Sequence, residues 1–203
     1  MACIKRSIVY YCAMRVKDPQ KENALFRAIV QLVNEIGFAE SSVSKIAKAA
    51  GVSPATIYTY FENKDDLIVM TYKDIMGRMS ANLFVGLNDD LPVKDALHLV
   101  WRNIHNYISS HREEFLFTEQ FSRSPYIQNI DLETHKRFFL PLAAVIRRGV
   151  RENVLKDEHF HMHMLFFYYP ILTLANPNSC HVVSLEDEVI ETAFRFAWDA
   201  IKK

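Results

Sequence analysis

Residues 42–64, Ser-Val-Ser-Lys-Ile-Ala-Lys-Ala-Ala-Gly-Val-Ser-Pro-Ala-Thr-Ile-Tyr-Thr-Tyr-Phe-Glu-Asn-Lys, constrain the fold of this chain more than any other stretch. Val43, Ile46, Ala47 and Ala50 recur at i, i+3, i+4 and i+7, the spacing of one buried stripe on a helix. Gly51 follows, and glycine accepts the left-handed backbone that ends a helix without steric cost. Ser53 stands where a side-chain oxygen caps a second helix, and Pro54 takes its first position, where a missing N–H costs nothing. The second helix is expected to run to Phe61, with Asn63 capping a third whose first turn holds Lys64, Asp65 and Asp66. Two short helices joined by a tight turn make a helix-turn-helix.

At about 100° per residue, Ile57 and Phe61 form the buried edge of the second helix, and Ala55, Thr56 and Thr59 fall on the opposite side. Tyr58 and Tyr60 flank them. The exposed face is small and hydroxylated at its centre, with phenol donors at its margins. A helix in the DNA major groove needs short side chains to approach base edges and longer donors for the phosphates on either side. The competing reading is a helical hairpin with two exposed tyrosines. Turn, cap, stripe and exposed face together favour DNA binding.

From Gly51-Val52-Ser53-Pro54-Ala55-Thr56-Ile57-Tyr58 through Thr59-Tyr60-Phe61-Glu62-Asn63-Lys64-Asp65-Asp66-Leu67, the sequence resembles the signature of the TetR family of bacterial transcriptional regulators. Gly37-Phe38 and Ser42-Val43-Ser44-Lys45-Ile46-Ala47 fit the same pattern. The resemblance spans roughly residues 20–70; beyond it, only the helical architecture is similar. It implies that Ala55, Thr56 and Thr59 face bases, beside Pro54 at the start of the helix. Ser42, Ser44, Tyr58, Tyr60 and Lys64 would touch phosphates, Lys64 aided by the dipole of the helix it opens. No long cationic side chain projects from the recognition helix, a departure from more basic relatives that puts strong sequence-independent affinity in doubt.

Charge supports a DNA-binding head. The chain of 203 residues is neutral overall, but residues 1–64 hold nine Lys and Arg against five Asp and Glu, leaving fifteen basic and nineteen acidic residues in the remainder. A basic head on an acidic body suits an anionic partner. With 50% hydrophobic residues and only 5 glycines and 7 prolines, the composition is that of a helical globular chain. Cys3, Cys12 and Cys180 are odd in number and widely spaced, which points to a reducing cytoplasm rather than a disulfide framework. No apolar run approaches the 18 or so residues of a membrane-spanning helix.

Residues 1–17 superficially resemble a short signal peptide, but the apolar stretch is closed by Arg15 and Lys17 and lacks a small-residue cleavage site. Met14 as the true start would leave a short basic arm. Mass spectrometry of the native N-terminus tests that reading; an intact Met1 or Ala2 would end it.

The sequence predicts an all-α fold of about nine helices: an arm over 1–18, a three-helix DNA-binding domain over 19–64, and an effector-binding and dimerisation domain over 65–203. Helices are expected over Pro19–Ile36, with Gly37 as the stop and Phe38 beneath the helix-turn-helix, and over Asp65–Val85 as a strut. Others are expected over Pro92–Ser110, Glu113–Ser122, Leu132–Gly149 (kinked at Pro141), Glu158–Leu174 and Leu185–Lys202.

The body is rich in aromatics. One reading is an apolar pocket for a small lipophilic or aromatic effector, lined by Trp101, Phe121, Phe139 and Tyr169, with His105 and Glu119 as polar anchors. The other is ordinary core and dimer interface. Broad apolar faces on the last two helices, including Phe160, Met164, Phe167 and Ile171, then Phe194 and Phe196, suggest that this pair meets its twin. His159 and His163 lie at i, i+4, but no further ligand completes a set, so no metal is expected. Neither a cofactor motif nor a catalytic constellation is present.

These readings converge on a cytoplasmic, homodimeric, ligand-responsive regulator, expected to be a repressor binding a palindromic operator in double-stranded DNA. The alternative is a coactivator acting through protein–protein contact without DNA, against which the basic, hydroxyl-bearing head argues.

Overall fold

The computed structural model describes residues 18–176 and 187–203. The expected arm before Asp18, Met14 as a start and all three cysteines lie outside them. Among the described residues the fold is all-α, with one isolated antiparallel bridge between Leu155 and Lys202.

Helix α1 (Pro19–Glu40) begins where the Asp18 carboxylate accepts from Gln20 N–H at 2.9 Å, with Pro19 in its first turn. Leu25, Ile29 and Val33 are its buried stripe. Gly37, at φ 78°, breaks the helical geometry, but residues 38–40 resume it in a new direction. Phe38, expected beneath the helix-turn-helix, directly follows that turn. Its ring packs on Phe117 at 5.7 Å and Tyr126 at 5.2 Å.

Helices α2 (Val43–Ala49) and α3 (Pro54–Tyr60) follow, then α4 (Lys64–Leu83), which opens where Asn63 Oδ1 accepts from Asp66 N–H at 2.9 Å. Helix α4 buries Leu67, Ile68, Tyr72, Ile75, Met79 and Leu83 and packs against α1 as well as α5 (Val93–Ser110) and α6 (Arg112–Ser122). Ile36 and Met70, read as stripe residues, are exposed. Helix α5 is the central rod, burying Leu97, Val100, Trp101 and Ile104 completely. Phe117 and Phe121 on α6 are equally buried; each phenylalanine buried this fully stabilises by about 1.5–3 kcal/mol.

The helix expected over Leu132–Gly149 is two: α7 (Leu132–Phe138) and α8 (Leu140–Arg151). The break falls at Phe139 (φ −111°, ψ 5°), just before Pro141. Proline has no N–H to continue the ladder and its ring clashes with the carbonyl four residues back. Helix α9 (residues 160–175) contains a π turn over Met164–Tyr168, immediately before Pro170. A wider turn at that point accommodates the same proline conflict. Helix α10 (Asp187–Ile201) ends the fold, and the chain after α8 is pinned to it by Lys156 N–H donating to Ile201 O and Lys203 N–H to Val154 O, both at 3.0 Å.

Candidate DNA-binding helix and effector cavity

In the helix-turn-helix, Ser42 Oγ accepts from Lys45 N–H at 3.3 Å and starts α2. Its end closes with two paired hydrogen bonds, Val52 N–H to Ala47 O at 2.9 Å and Gly51 N–H to Lys48 O at 3.2 Å, around Gly51 at φ 68°. This double closure requires a left-handed residue at that position. Ser53 Oγ then accepts from Thr56 N–H at 3.3 Å and lies 2.9 Å from Thr56 Oγ1.

Ile57 and Phe61 are buried, which leaves Pro54, Ala55, Tyr58 and Thr59 on the outer surface with Thr56 half-buried beside them. Thr59 Oγ1 donates to Thr56 O at 2.6 Å, so both threonines spend hydroxyl capacity within the helix. Tyr58 is 58% exposed. Tyr60 is half-buried, its hydroxyl accepting from Asp18 N–H at 3.0 Å and so tying α3 to the start of α1. Lys64 Nζ donates to Phe38 O at 3.0 Å. Ser42 and Ser44 are exposed on α2.

Head and body are joined through α6. Asn34 of α1 donates to Glu113 O at 2.9 Å, and Gln120 donates to the Asn34 amide oxygen at 2.9 Å. Arg78 of α4 contacts both carboxylate oxygens of Glu114 at 2.9 Å and Asp74 at 3.0 Å. Burial works to lower the Arg78 pKa, but the hydrogen bonds and charges of Glu114 and Asp74 together outweigh it and raise the pKa.

Behind that junction lies a cavity of about 970 Å³ between α4, α6, α8 and α9. Met76 and Met79 of α4, Phe115 of α6, Ile146 of α8 and Met164 of α9 supply apolar wall. Polar groups interrupt it at Tyr72, Thr118, Glu119, Ser122, Tyr168 and Tyr169. Burial pushes the Tyr72 phenol up to about 12, opposed by its hydrogen bond with Ser122, and pushes Tyr168 higher still, so both are neutral. Arg147 and Arg151, one turn apart near the end of α8, line the cavity and form no ion pair among the described residues.

The structure brings together only part of the pocket read from sequence. Phe139, Tyr169 and the polar residue Glu119 line the cavity. Trp101 and His105 do not, because that edge of α5 faces α10: Trp101 Nε1 donates to Ile190 O at 3.2 Å, and the adjacent Arg102 pairs with Asp187 at 2.8 Å. Phe121 is fully buried behind the wall, stacked on Tyr72 at 4.0 Å. The proposed interface set divides similarly. Met164, Phe167, Ile171 and Phe194 are buried within the chain itself, so they face its own core. Phe160 lines the cavity, and Phe196 is 73% exposed.

Sequence reasoning missed Tyr72, Arg147 and Arg151. The two arginines carried a signal, a cationic i, i+4 pair at the end of a helix whose first two turns are apolar. His159 and His163 share only a backbone contact, His163 Nδ1 lying 3.3 Å from His159 O, and no group of three or more metal-ligating residues occurs among the described residues.

A capped helix-turn-helix leading through one strut helix to a largely apolar cavity defines a DNA-binding regulator with an effector domain. Residues 25–69 match bacterial regulatory proteins of the tetR family, and residues 92–202 match the tetracyclin repressor-like C-terminal domain. The chain belongs to the TetR family of transcriptional regulators. A TetR family transcription regulator from Marinobacter aquaeolei VT8 is 29% identical, with TM-score 0.82 over 94% of this chain and 100% of that one. The fatty acid metabolism regulator protein of Bacillus subtilis (strain 168) is 28% identical over 149 residues, 71% of this chain and 75% of that protein. A transcriptional regulator FadR from Bacillus subtilis, solved in complex with stearoyl-CoA, shares the fold with TM-score 0.67 at 20% identity, over 88% of this chain and 98% of that one. No described helix is long and apolar enough to cross a membrane.

Proposed function

We propose that this regulator is a homodimeric repressor of a palindromic operator, released by an effector with a long apolar chain and an anionic head. The cavity carries the reading. Its volume is that of a site for a sizeable ligand, its wall is largely apolar, and Arg147 and Arg151 stand unpaired at one end. Asp157 and Glu158, from the loop before α9, line the same site and would repel an anion not seated on the arginines. Relatives that regulate fatty acid metabolism, one solved with stearoyl-CoA, support an acyl compound.

Coupling follows from shared elements. Helix α4 lines the cavity with Tyr72, Met76 and Met79 and begins at the DNA-binding head; α6 lines it with Phe115 and Glu119 while gripping α1 through Glu113 and Gln120. An effector that fits only one arrangement of α4 and α6 biases the separation of the two heads by its differential affinity.

The dimer rests on a different stripe from the one read in the sequence. Met162, Leu165, Phe166 and Tyr169 on α9 recur at i, i+3, i+4 and i+7 and are all exposed, as is Phe196 on α10. So large an exposed apolar face suits a twofold contact.

The test is footprinting of DNA flanking the protein's own coding region at physiological salt, with and without long-chain acyl thioesters. A protected palindrome, lost on adding the thioester, is the expected result. No protection by a folded dimer would overturn the operator reading and favour the coactivator alternative.

A further inference from the structure

The cavity wall is not made of long helices alone. Between α6 and α7 the chain forms a short 3-10 helix over Pro125–Asn129, and its Ile127 lines the cavity. Three residues complete a turn in this geometry, so neighbouring side chains point about 120° apart. Tyr126, one residue back, is not part of the cavity wall and reaches the DNA-binding head at two points. Its ring packs against Phe38 at 5.2 Å, and its hydroxyl donates to the Asp65 carboxylate at 3.2 Å. Both partners lie within residues 25–69, the stretch matched by the tetR regulatory proteins. Lys64 Nζ donates to Phe38 O at 3.0 Å, so the two points form one knot where α1, past its Gly37 turn, meets the start of α4.

The short helix is easily moved. Hydrogen bonds of a 3-10 helix have poorer geometry than those of an α-helix, and none of its five residues is fully buried. Its start is set by Ser124, whose Oγ accepts from Tyr126 N–H at 3.3 Å and donates to Phe121 O at 2.7 Å. Phe121 stacks on the cavity residue Tyr72 at 4.0 Å, and its ring lies 6.3 Å from that of Tyr126. A ligand pressing on Ile127 therefore reaches Tyr126 through the backbone, and one pressing on Tyr72 reaches it through Phe121. The phenol keeps its proton for Asp65, because burial and the charge of that carboxylate both raise its pKa.

We infer that Tyr126 is a positioning residue: by gripping Phe38 and Asp65 it carries effector occupancy of the cavity to the DNA-binding head. This rests on the effector reading above and adds to the strut helix a second, direct connection. An effector that displaces Ile127 binds the arrangement in which Tyr126 has let go of the head more tightly than the one in which it holds on. That difference in affinity is the coupling.

The experiment is fluorescence-anisotropy titration of the footprinted operator duplex with the full chain, with and without coenzyme A thioesters from dodecanoyl to octadecanoyl. In the parent the best-fitting thioester weakens operator binding. Tyr126→Phe keeps the ring and loses the bond to Asp65, and the thioester-induced weakening should shrink about threefold. Tyr126→Leu also loses the ring contact with Phe38, and the weakening should shrink about tenfold. Calorimetry should show that both variants, free of DNA, still bind the thioester. Tyr126→Phe lacks only one hydroxyl and decides the question alone if the leucine variant does not fold. Operator affinity lowered equally with and without thioester would make Tyr126 a structural support and overturn the inference. A thioester response undiminished in both variants would overturn it too, and in either case the effector reading would stand. A parent whose operator binding ignores every thioester would overturn both.

Discussion

Gly149→Ala tests how closely the cavity wall is held to the core. Gly149 lies on α8, and a Cβ there would sit 2.6 Å from Leu155 Cδ1, 2.7 Å from Leu155 Cγ and 2.9 Å from Val93 Cγ1. Carbon atoms rest at about 3.5–4.0 Å, so these contacts demand a shift of roughly 1 Å. Leu155 and Val93 are both buried and cannot swing into solvent. Alanine gains about 1 kcal/mol over glycine in a helix, whereas overpacking costs about 1–3 kcal/mol. With three contacts this short the clash should win, for a net loss of about 1–2 kcal/mol, or about 3–6 °C in Tm for a chain of this size. The relief available is for α8 to move off α5 toward the cavity, which Ile146, Val150 and Arg151 line from that helix. Effector affinity should therefore fall with stability. Thermal melts by circular dichroism, paired with acyl-thioester titration, read both effects. In Gly149→Ala/Leu155→Ala the two losses should be less than additive, because the second change removes the obstacle. A Tm equal to or above the parent's would refute the reasoning.

Tyr58→Ala should weaken operator affinity in a gel-shift titration at unchanged Tm in thermal melts, since Tyr58 is exposed and makes no hydrogen bond among the described residues; unchanged affinity sinks its role. Ser53→Ala removes the cap of α3 and should lower both stability, by about 1 kcal/mol, and operator affinity. Phe166→Glu/Phe196→Glu should yield a folded monomer in sedimentation velocity, and a dimer that persists would move the interface elsewhere. Burial holds the pKa values of His105 and His135 below the ordinary 6.5. As pH falls through that value the unfolded chain binds protons the folded one does not, so stability should decline on acidification and recover above it. Chemical denaturation at a series of pH values reads the slope; a melt insensitive to pH in this window would contradict it.

The head was legible because its determinants are local. Caps, a left-handed glycine and a stripe act within a few residues of one another, so Gly51, Ser53, Pro54, Ile57 and Asn63 suffice to specify the helix-turn-helix. The all-helical class was equally local in origin, since glycine and proline are scarce and apolar recurrence is helical throughout. Which way each apolar stripe faces is not local. Trp101 and His105 share an edge of α5 that meets α10 rather than the cavity, and Phe167, Ile171 and Phe194 turn toward the chain's own core while Leu165, Phe166 and Phe196 turn out. A helix with apolar residues on two faces reads the same in sequence whichever partner each face meets. Pro141 marked one break in the sequence and Pro170 none, and only packing decided that Pro141 splits α7 from α8 while Pro170 is absorbed by a π turn. The cavity is the extreme case. Tyr72, Glu119, Arg147 and Tyr168 come from four helices and converge only when those helices pack, because a cavity is the space that tertiary packing leaves unfilled.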